Sequence, residues 1–283
     1  MTSDSAQGRP IRIADGVFWV GGRSDDESVA CNPFLIVQDD RAVLIDSGSR
    51  SDFAVVMMRI LQAGIDPRQI VALIYQHYDP DLCGSMANFI DMCDNPELQV
   101  VSEKDNNVFI SYYIPREKKN LLRPVEAYGH RFTFAGRELV FVPTPYSHSP
   151  GSFVTYDVQT QTLFSSDLFG SFEPSQGLFW TLADTCYDCA DFDRCPGGRP
   201  FCPLKSIAQF HQKVMPCQKA LRYAMAQVKD LDIQCIAPQH GGIFHRRRDI
   251  VHLIERLAQL TDVGIDGVPG AEGPAMPESP GGR

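Results

Sequence analysis

Apolar and polar positions alternate through "IRIADGVFWVGG" and "NPFLIVQDDRAVLIDSGS", with Asp and Gly between the runs, which predicts short β-strands joined by tight turns. The period changes in "SDFAVVMMRILQAGI", where apolar residues recur at helical spacing from a Ser51 cap to Gly64. "QIVALIY" predicts an apolar strand, the segment from Cys83 to Met92 a helix, and "LQVVSE" another strand; residues 105–123 show no clear period. A second β series follows in "HRFTFAG", "RELVFVPTP" and "GSFVTYDVQTQTLFSSD". After a Cys-, Gly- and Pro-rich segment at 186–203 come a long helical pattern over 206–229, the strand "QCIAPQH" and a last helix over 249–261. Two β-rich halves, each with helices outside, predict an α/β sandwich of two mixed β-sheets flanked by helices, its loops gathered at one edge.

The 283 residues suffice for one large domain, and 43% hydrophobic with 22% charged residues is ordinary for a soluble chain with a full core. The expected organisation is a flexible N-terminus over 1–10, one domain over 11–262 with the Cys-rich insertion at 186–203, and a disordered Gly/Pro-rich tail over 263–283. A net charge of −9 argues against general nucleic-acid binding, and "HRRRD" at 245–249 reads as a solvated helix start. No apolar run approaches the ~18 residues of a membrane span, and the polar "MTSDSAQGRP" lacks a secretory core, so the expected location is cytoplasmic. There is no solenoid period and no Gly-rich phosphate loop. Without a nucleotide-binding half, any electron donor must be another protein or another centre.

"LIYQHYDPDLCGS" then raises a chemical question. His77, Asp79 and Asp81 follow an apolar strand at alternate positions, which in an extended segment puts them on one face. Polar groups there need a partner, and a metal ion or a solvated Asp-rich turn bent at Pro80 would each supply one. His148 in "TPYSHSPGS", Asp167 in "LFSSDLFGS" and His240 in "APQHGG" also follow predicted strands. Repetition at strand ends favours convergence on one site over independent surface residues.

The order β-β-α, "LIDSG", H-x-[H/E/D]-x-D, a later His, an Asp before an "FG" turn and a final "HG" resembles the metallo-β-lactamase superfamily. Within it, "LFSSDLFGSF", "VMPCQKAL" and "LDIQCIAPQHGGIFH" are similar to flavodiiron proteins and their flavin-free oxygen-binding di-iron relatives, over roughly residues 11–261. The resemblance implies the αββα metallo-β-lactamase fold and a di-iron centre. His77, Asp79 and His148 would hold one iron, Asp81 and His240 the other, and Asp167 both. Zinc hydrolases of the superfamily use H-x-H-x-D-H, whereas this chain has Asp79 and Leu82 in the second and last places. The harder oxygen donors suit paired iron. Flavodiiron proteins commonly carry Glu where Asp79 stands.

The implied function is a non-haem di-iron protein that binds O2 or NO, as an oxygen sensor or carrier, or as an oxygen reductase fed by an external electron donor. A dinuclear hydrolase of a thioester, lactone or phosphodiester is the alternative. The chain shows no flavin-binding domain; a signalling partner and head-to-tail homodimer pairing are further implications of the resemblance. No catalytic residue beyond the metal ligands is expected. Asp46 in "LIDSG" is a candidate for orienting a ligand imidazole. Tyr75, Tyr78 and Tyr146 flank ligands and are candidate hydrogen-bond donors to a bound gas.

Cys186, Cys189, Cys195 and Cys202 in "CYDCADFDRCPGGRPFCP" have the reach to wrap one metal, leaving an iron–sulfur cluster, structural zinc and no metal all open. A cluster there would supply electrons in place of flavin. Cys31, Cys83, Cys93, Cys217 and Cys235 sit among apolar residues and read as small buried hydrophobes.

Overall fold

A computed structural model describes residues 8–22, 31–173, 177–189, 195, 197–198 and 200–269. The first half contributes β1 (Ile11–Ala14), β2 (Val17–Trp19), β3 (Phe34–Gln38) and β4 (Arg41–Ile45), antiparallel neighbours in chain order. Helix α1 (Phe53–Gln62) crosses to the parallel strand β5 (Ile70–Ile74), and α2 (Pro80–Cys83) and α3 (Met86–Cys93) lead to β6 (Gln99–Ser102). Helix α4 (Lys104–Ile110) precedes β7 (Leu122–Pro124), which closes the seven-stranded sheet. The second sheet holds β8 (Arg131–Phe134), β9 (Arg137–Pro143), β10 (Phe153–Asp157), β11 (Thr162–Phe164) and β12 (Cys235–Ala237). Its β11 and β12 run parallel and the rest antiparallel, so both sheets are mixed. The short α5 (Asp184–Tyr187), α6 (Pro203–Val214), α7 (Gln218–Val228) and α8 (Arg247–Ala258) complete the chain.

Strand alternation builds the layers. Val43 and Ile45 of β4 face the second sheet while Ala42 and Leu44 face α1 and α3. Phe153 and Phe164 point inward while Val154 and Leu163 meet α6, α7 and α8. The rings of Phe34 and Phe164, 5.3 Å apart, join the sheets. Arg137 and Asp157 form a wholly buried pair, and the guanidinium also donates to the carbonyls of Val37 at 3.2 Å and Asp15 at 3.1 Å. The buried charges are thus compensated where β9 meets the first sheet.

The expected helix over 206–229 is two helices. Pro216 lacks an N–H and disfavours helical geometry before it, so α6 ends at Val214, Met215 is extended, and α7 starts after Cys217. Helix α1 takes Asp52 as its N-cap, while the Ser51 hydroxyl pairs with Ser49 Oγ at 2.7 Å. Part of the expected tail is packed: Val263 is buried, and the N–H of Gly264 donates to Gln212 O at 2.8 Å. Gly264 has φ +55°, and a Cβ there would lie 2.2 Å from Met215 O, so composition alone hid a required glycine. Residues 1–7 and 270–283 lie outside the described residues. Among the described residues, no helix is long and apolar enough to cross a membrane.

Candidate metal centre

The candidate residues stand beyond the carboxyl ends of β5, β9, β11 and β12, and the sandwich brings those ends together. The first trio does not come from one extended segment. Asp79 is extended, with ψ 153°, and caps α2, whose first residue is Pro80. Proline is preorganised for that position. The turn separates the carboxylates, with Asp79 toward His148 and Asp81 toward His240.

Asp167 lies between three imidazoles. Its Oδ2 is 2.9 Å from His148 Nε2, and its Oδ1 is 3.6 Å from His77 Nε2 and 3.5 Å from His240 Nε2. Asp79 Oδ2 is 3.2 Å from His148 Nε2, and its Oδ1 is 3.8 Å from His77 Nδ1. Asp81 Oδ2 lies 3.2 Å from His240 Nε2. Two half-sites result: His77, Asp79 and His148 on one side, Asp81 and His240 on the other, with Asp167 facing both. His77, Asp167 and His240 are buried, while the side chains of Asp79 and Asp81 are each 34% exposed and open the cluster to solvent.

Burial would raise Asp167 and Asp79, yet the neighbouring imidazoles hold both carboxyls well below their usual range. Burial likewise opposes protonation of His77 and His148, but Asp167 and Asp79 more than offset it and hold His148 up at about 9. Asp167 and Asp79 thus favour the charged imidazoles of His77 and His148, a load that cations would take over with release of protons. Two atoms test the fit. His77 Nδ1 and Asp167 Oδ1 are buried and have no hydrogen-bond partner. Single donor atoms of His77, His148 and Asp167 all lie within 4.8 Å of one another. Orphaned polar atoms at the centre of a mixed imidazole–carboxylate set are what bound cations would satisfy.

The backbone around Asp167 is strained. Ser166 and Phe169 have φ of +52° and +65° without being glycine. His211 on α6 holds this turn, its Nε2 accepting the Phe169 N–H at 3.0 Å. The Phe210 ring lies 5.9 Å from that of His240. After His240, Gly241 has φ +85°, and a Cβ on Gly242 would meet the Trp180 ring at 2.2 Å, so "HGG" admits no side chain.

Asn32 and Gln239 carry no motif, and the sequence reading passed over both. Asn32 is buried ahead of β3, held by Trp19 Nε1 at 2.9 Å, and it clamps the His240 loop. Its N–H donates to Gln239 O at 2.7 Å and its Nδ2 to Pro238 O at 3.0 Å and Gly241 O at 3.1 Å. A lone polar residue beside a strand and a Gln next to a candidate ligand were the only signals available.

Other candidates fall elsewhere. Asp46 is buried, with φ +52°, and accepts from the N–H of Gln76 at 3.4 Å and its Nε2 at 3.5 Å, so it acts on the residue before His77. Burial pushes its carboxyl up to about 7, against lowering by His77 and Gln76. Tyr75 is fully buried, and its hydroxyl pairs with Ser47 Oγ at 2.8 Å in the layer facing α1 and α3, away from the ligands. Tyr78 packs on Phe109 with ring centroids 4.4 Å apart, and Tyr146 is 55% exposed. Leu82 is fully buried among the residues of α1 and α3 and offers nothing to the site.

In the cysteine loop, Cys186 joins the hydrophobic core that also holds Leu204 and Leu253, Cys189 is buried, and Cys202 caps α6 by accepting the Lys205 N–H at its sulfur, 3.5 Å away. Residues 190–194, 196 and 199 lie outside the described residues. Among the described residues, three donors gather at His77, His148 and Asp167, and the four cysteines form no such group. Cys31, Cys83, Cys93 and Cys235 are buried as expected, whereas Cys217 is half-buried at the N-cap of α7.

A family model described as ODP family beta lactamase matches residues 29–241, a span that includes every residue of the cluster. The chain belongs to the ODP beta-lactamase family. Diflavin flavoprotein A 1 of Synechocystis sp. is 31% identical over 273 residues, or 92% of this chain and 42% of the relative. The nitric oxide reductase of Moorella thermoacetica is 23% identical, over 90% of this chain and 62% of the relative. The chain therefore spans less than two thirds of either relative. A solved structure described as a peroxy diiron species of the chemotaxis sensor ODP superposes with a TM-score of 0.71 at 23% identity, covering 91% of this chain and 97% of that one. The two mixed sheets and outer helices are the metallo-β-lactamase fold.

Proposed function

We propose that this protein holds two irons in the cluster and binds O2 or NO there. It would act as a sensor or carrier, or as a reductase when an external donor supplies electrons. One observation carries the reading: Asp167 faces three imidazoles from three different loops at 2.9–3.6 Å, with a buried oxygen that no hydrogen bond satisfies. The diiron chemotaxis sensor and the nitric oxide reductase among its similar proteins support the choice of metal and gas. His77, Asp79 and His148 would hold one iron, Asp81 and His240 the other, and Asp167 both. The iron pair supplies reducing electrons and exchangeable coordination positions for a diatomic gas. The chain's own part is to hold the donors apart before loading, through Asn32, His211 and the rigid "HGG" turn, and to leave one open side at Asp79 and Asp81. The buried Leu82 counts against a zinc hydrolase, and the cysteine loop plays no part in this reading.

Anaerobic loading of the metal-free chain with Fe(II) tests it. Two irons per chain and a visible spectrum that changes on exposure to O2 or NO are expected. One iron or fewer, or a spectrum indifferent to both gases, refutes the reading.

A further inference from the structure

Two glutamates meet where β6 and β7 end. The pairing of Ser102 with Pro124 sets the residues that follow side by side, and the carboxyls of Glu103 and Glu126 come within hydrogen-bonding reach of each other. Glu103 is half-buried at the N-cap of α4, where its Oε2 accepts the Asp105 N–H at 2.6 Å. Burial, and then Glu126, push its carboxyl above the ordinary range. Among the described residues, neither carboxyl pairs with a lysine or arginine.

A third oxygen faces them from the interior. Asn106 on α4 is fully buried. Its Nδ2 donates to Gly151 O at 2.7 Å, Ser102 Oγ at 3.1 Å and Gln76 O at 3.4 Å, while the Ser102 hydroxyl is committed to Tyr75 O at 2.6 Å. All three partners accept, so the amide nitrogen belongs to them and the amide oxygen points away. That oxygen has no hydrogen-bond partner. It is aimed at Glu103 across a glycine: a Cβ on Gly151 would lie 2.4 Å from Glu103 Oε2 and 2.6 Å from Asn106 Oδ1.

The geometry points to a further metal site, separate from the histidine cluster, in which Glu103, Glu126 and the Asn106 amide oxygen bind one calcium ion. Two carboxylates and an amide carbonyl make a hard, all-oxygen set. Calcium accepts amide oxygens and irregular geometry, whereas magnesium demands a regular octahedron. Bound there, the ion would relieve the facing carboxylates and satisfy the buried amide oxygen. Through Asn106 it would also tie α4 to Gly151, shortly after His148, and to the Gln76 carbonyl just before His77. Calcium would thus steady two loops of the cluster without touching their donors.

The test titrates the full chain, loaded anaerobically with Fe(II), with Ca(II), read by calorimetry and by thermal unfolding. One calcium per wild-type chain is expected, with a melting temperature higher by roughly 5 °C at a hundredfold excess over Kd. Glu126→Gln, at an exposed position, and Glu103→Gln, which keeps an acceptor for the Asp105 N–H, should each bind calcium at least about tenfold more weakly, because ligand charge sets affinity in such sites. Without calcium, Glu126→Gln should melt no lower than the wild type, since it removes a repulsion; a lower value overturns the proposal by making Glu126 a structural partner. No uptake by the wild type overturns it and leaves a shared proton between the carboxyls. Equal uptake by the wild type and both variants overturns it as well, placing the ion at the histidine cluster or loosely on the surface. Iron content is read separately, so a failure of the di-iron reading is told apart.

Discussion

His211 offers a measurement that isolates one group. It is fully buried on α6, its Nδ1–H donating to Ile207 O at 2.7 Å and its Nε2 accepting the Phe169 N–H at 3.0 Å. Both nitrogens are committed in the neutral form, and burial pushes the imidazole down from 6.5 to about 4. In the unfolded chain it protonates near its ordinary value, so between pH 6.5 and about 4 the unfolded state binds a proton that the folded state refuses. Stability is therefore complete above 6.5 and falls as the pH drops toward 4. At about 1.4 kcal/mol per pH unit, that window amounts to about 3 kcal/mol for this side chain. Gln in place of His211 retains an acceptor for Phe169 without a titrating group. Urea unfolding of the metal-free chain should give His211→Gln a stability within about 1 kcal/mol of the wild type at pH 7, the net worth of one hydrogen bond. From pH 6.5 to 4.5 the wild type should lose stability faster, by up to one proton per molecule. Parallel curves would show that His211 is neither neutral nor buried as described.

Asp167→Asn should lower the iron content of the anaerobically loaded chain from two to one or none, measured by elemental analysis. The loss of affinity should exceed the ~10–100-fold typical of removing a supporting partner. Asn32→Asp turns two amide donors to Pro238 and Gly241 into acceptors facing carbonyls; a melting temperature lower by roughly 5–10 °C is expected by scanning calorimetry, with preferential loss of the ion nearest His240. Leu82→His restores the missing histidine of the hydrolase pattern but buries it in the layer facing α1 and α3. It should destabilise the chain by roughly 2–4 kcal/mol in urea unfolding and produce no ester or lactone hydrolysis.

Much of this fold was readable because its strands are covered on both faces and still alternate between two cores, as Val43 and Leu44 do, while each crossover helix keeps an apolar stripe. The six candidate metal-binding residues were readable as a group because each follows a strand closely. What escaped depended on single residues whose effect is not periodic. Pro216 cuts a helix whose apolar spacing runs through it. Val263 and Gly264 pack inside a stretch whose composition suggests disorder. Pro80 turns the chain between Asp79 and Asp81, so alternation along an extended strand was the wrong reason for their convergence. Gln239 and Asn32 matter through contacts with residues more than 150 positions away in sequence, which no local pattern encodes.

The candidate donors divide by sheet: His77, Asp79 and Asp81 follow a strand of the seven-stranded sheet, and His148, Asp167 and His240 follow strands of the five-stranded one. Ions held by both sets would rivet the halves along their open seam. Ligation specific to the folded state adds RT ln(1 + [L]/Kd) to stability, roughly 4 kcal/mol at a thousandfold excess over Kd. Chelation should then loosen the two sheets from each other before either one unravels, with hydrogen exchange rising first where Phe34 meets Phe164.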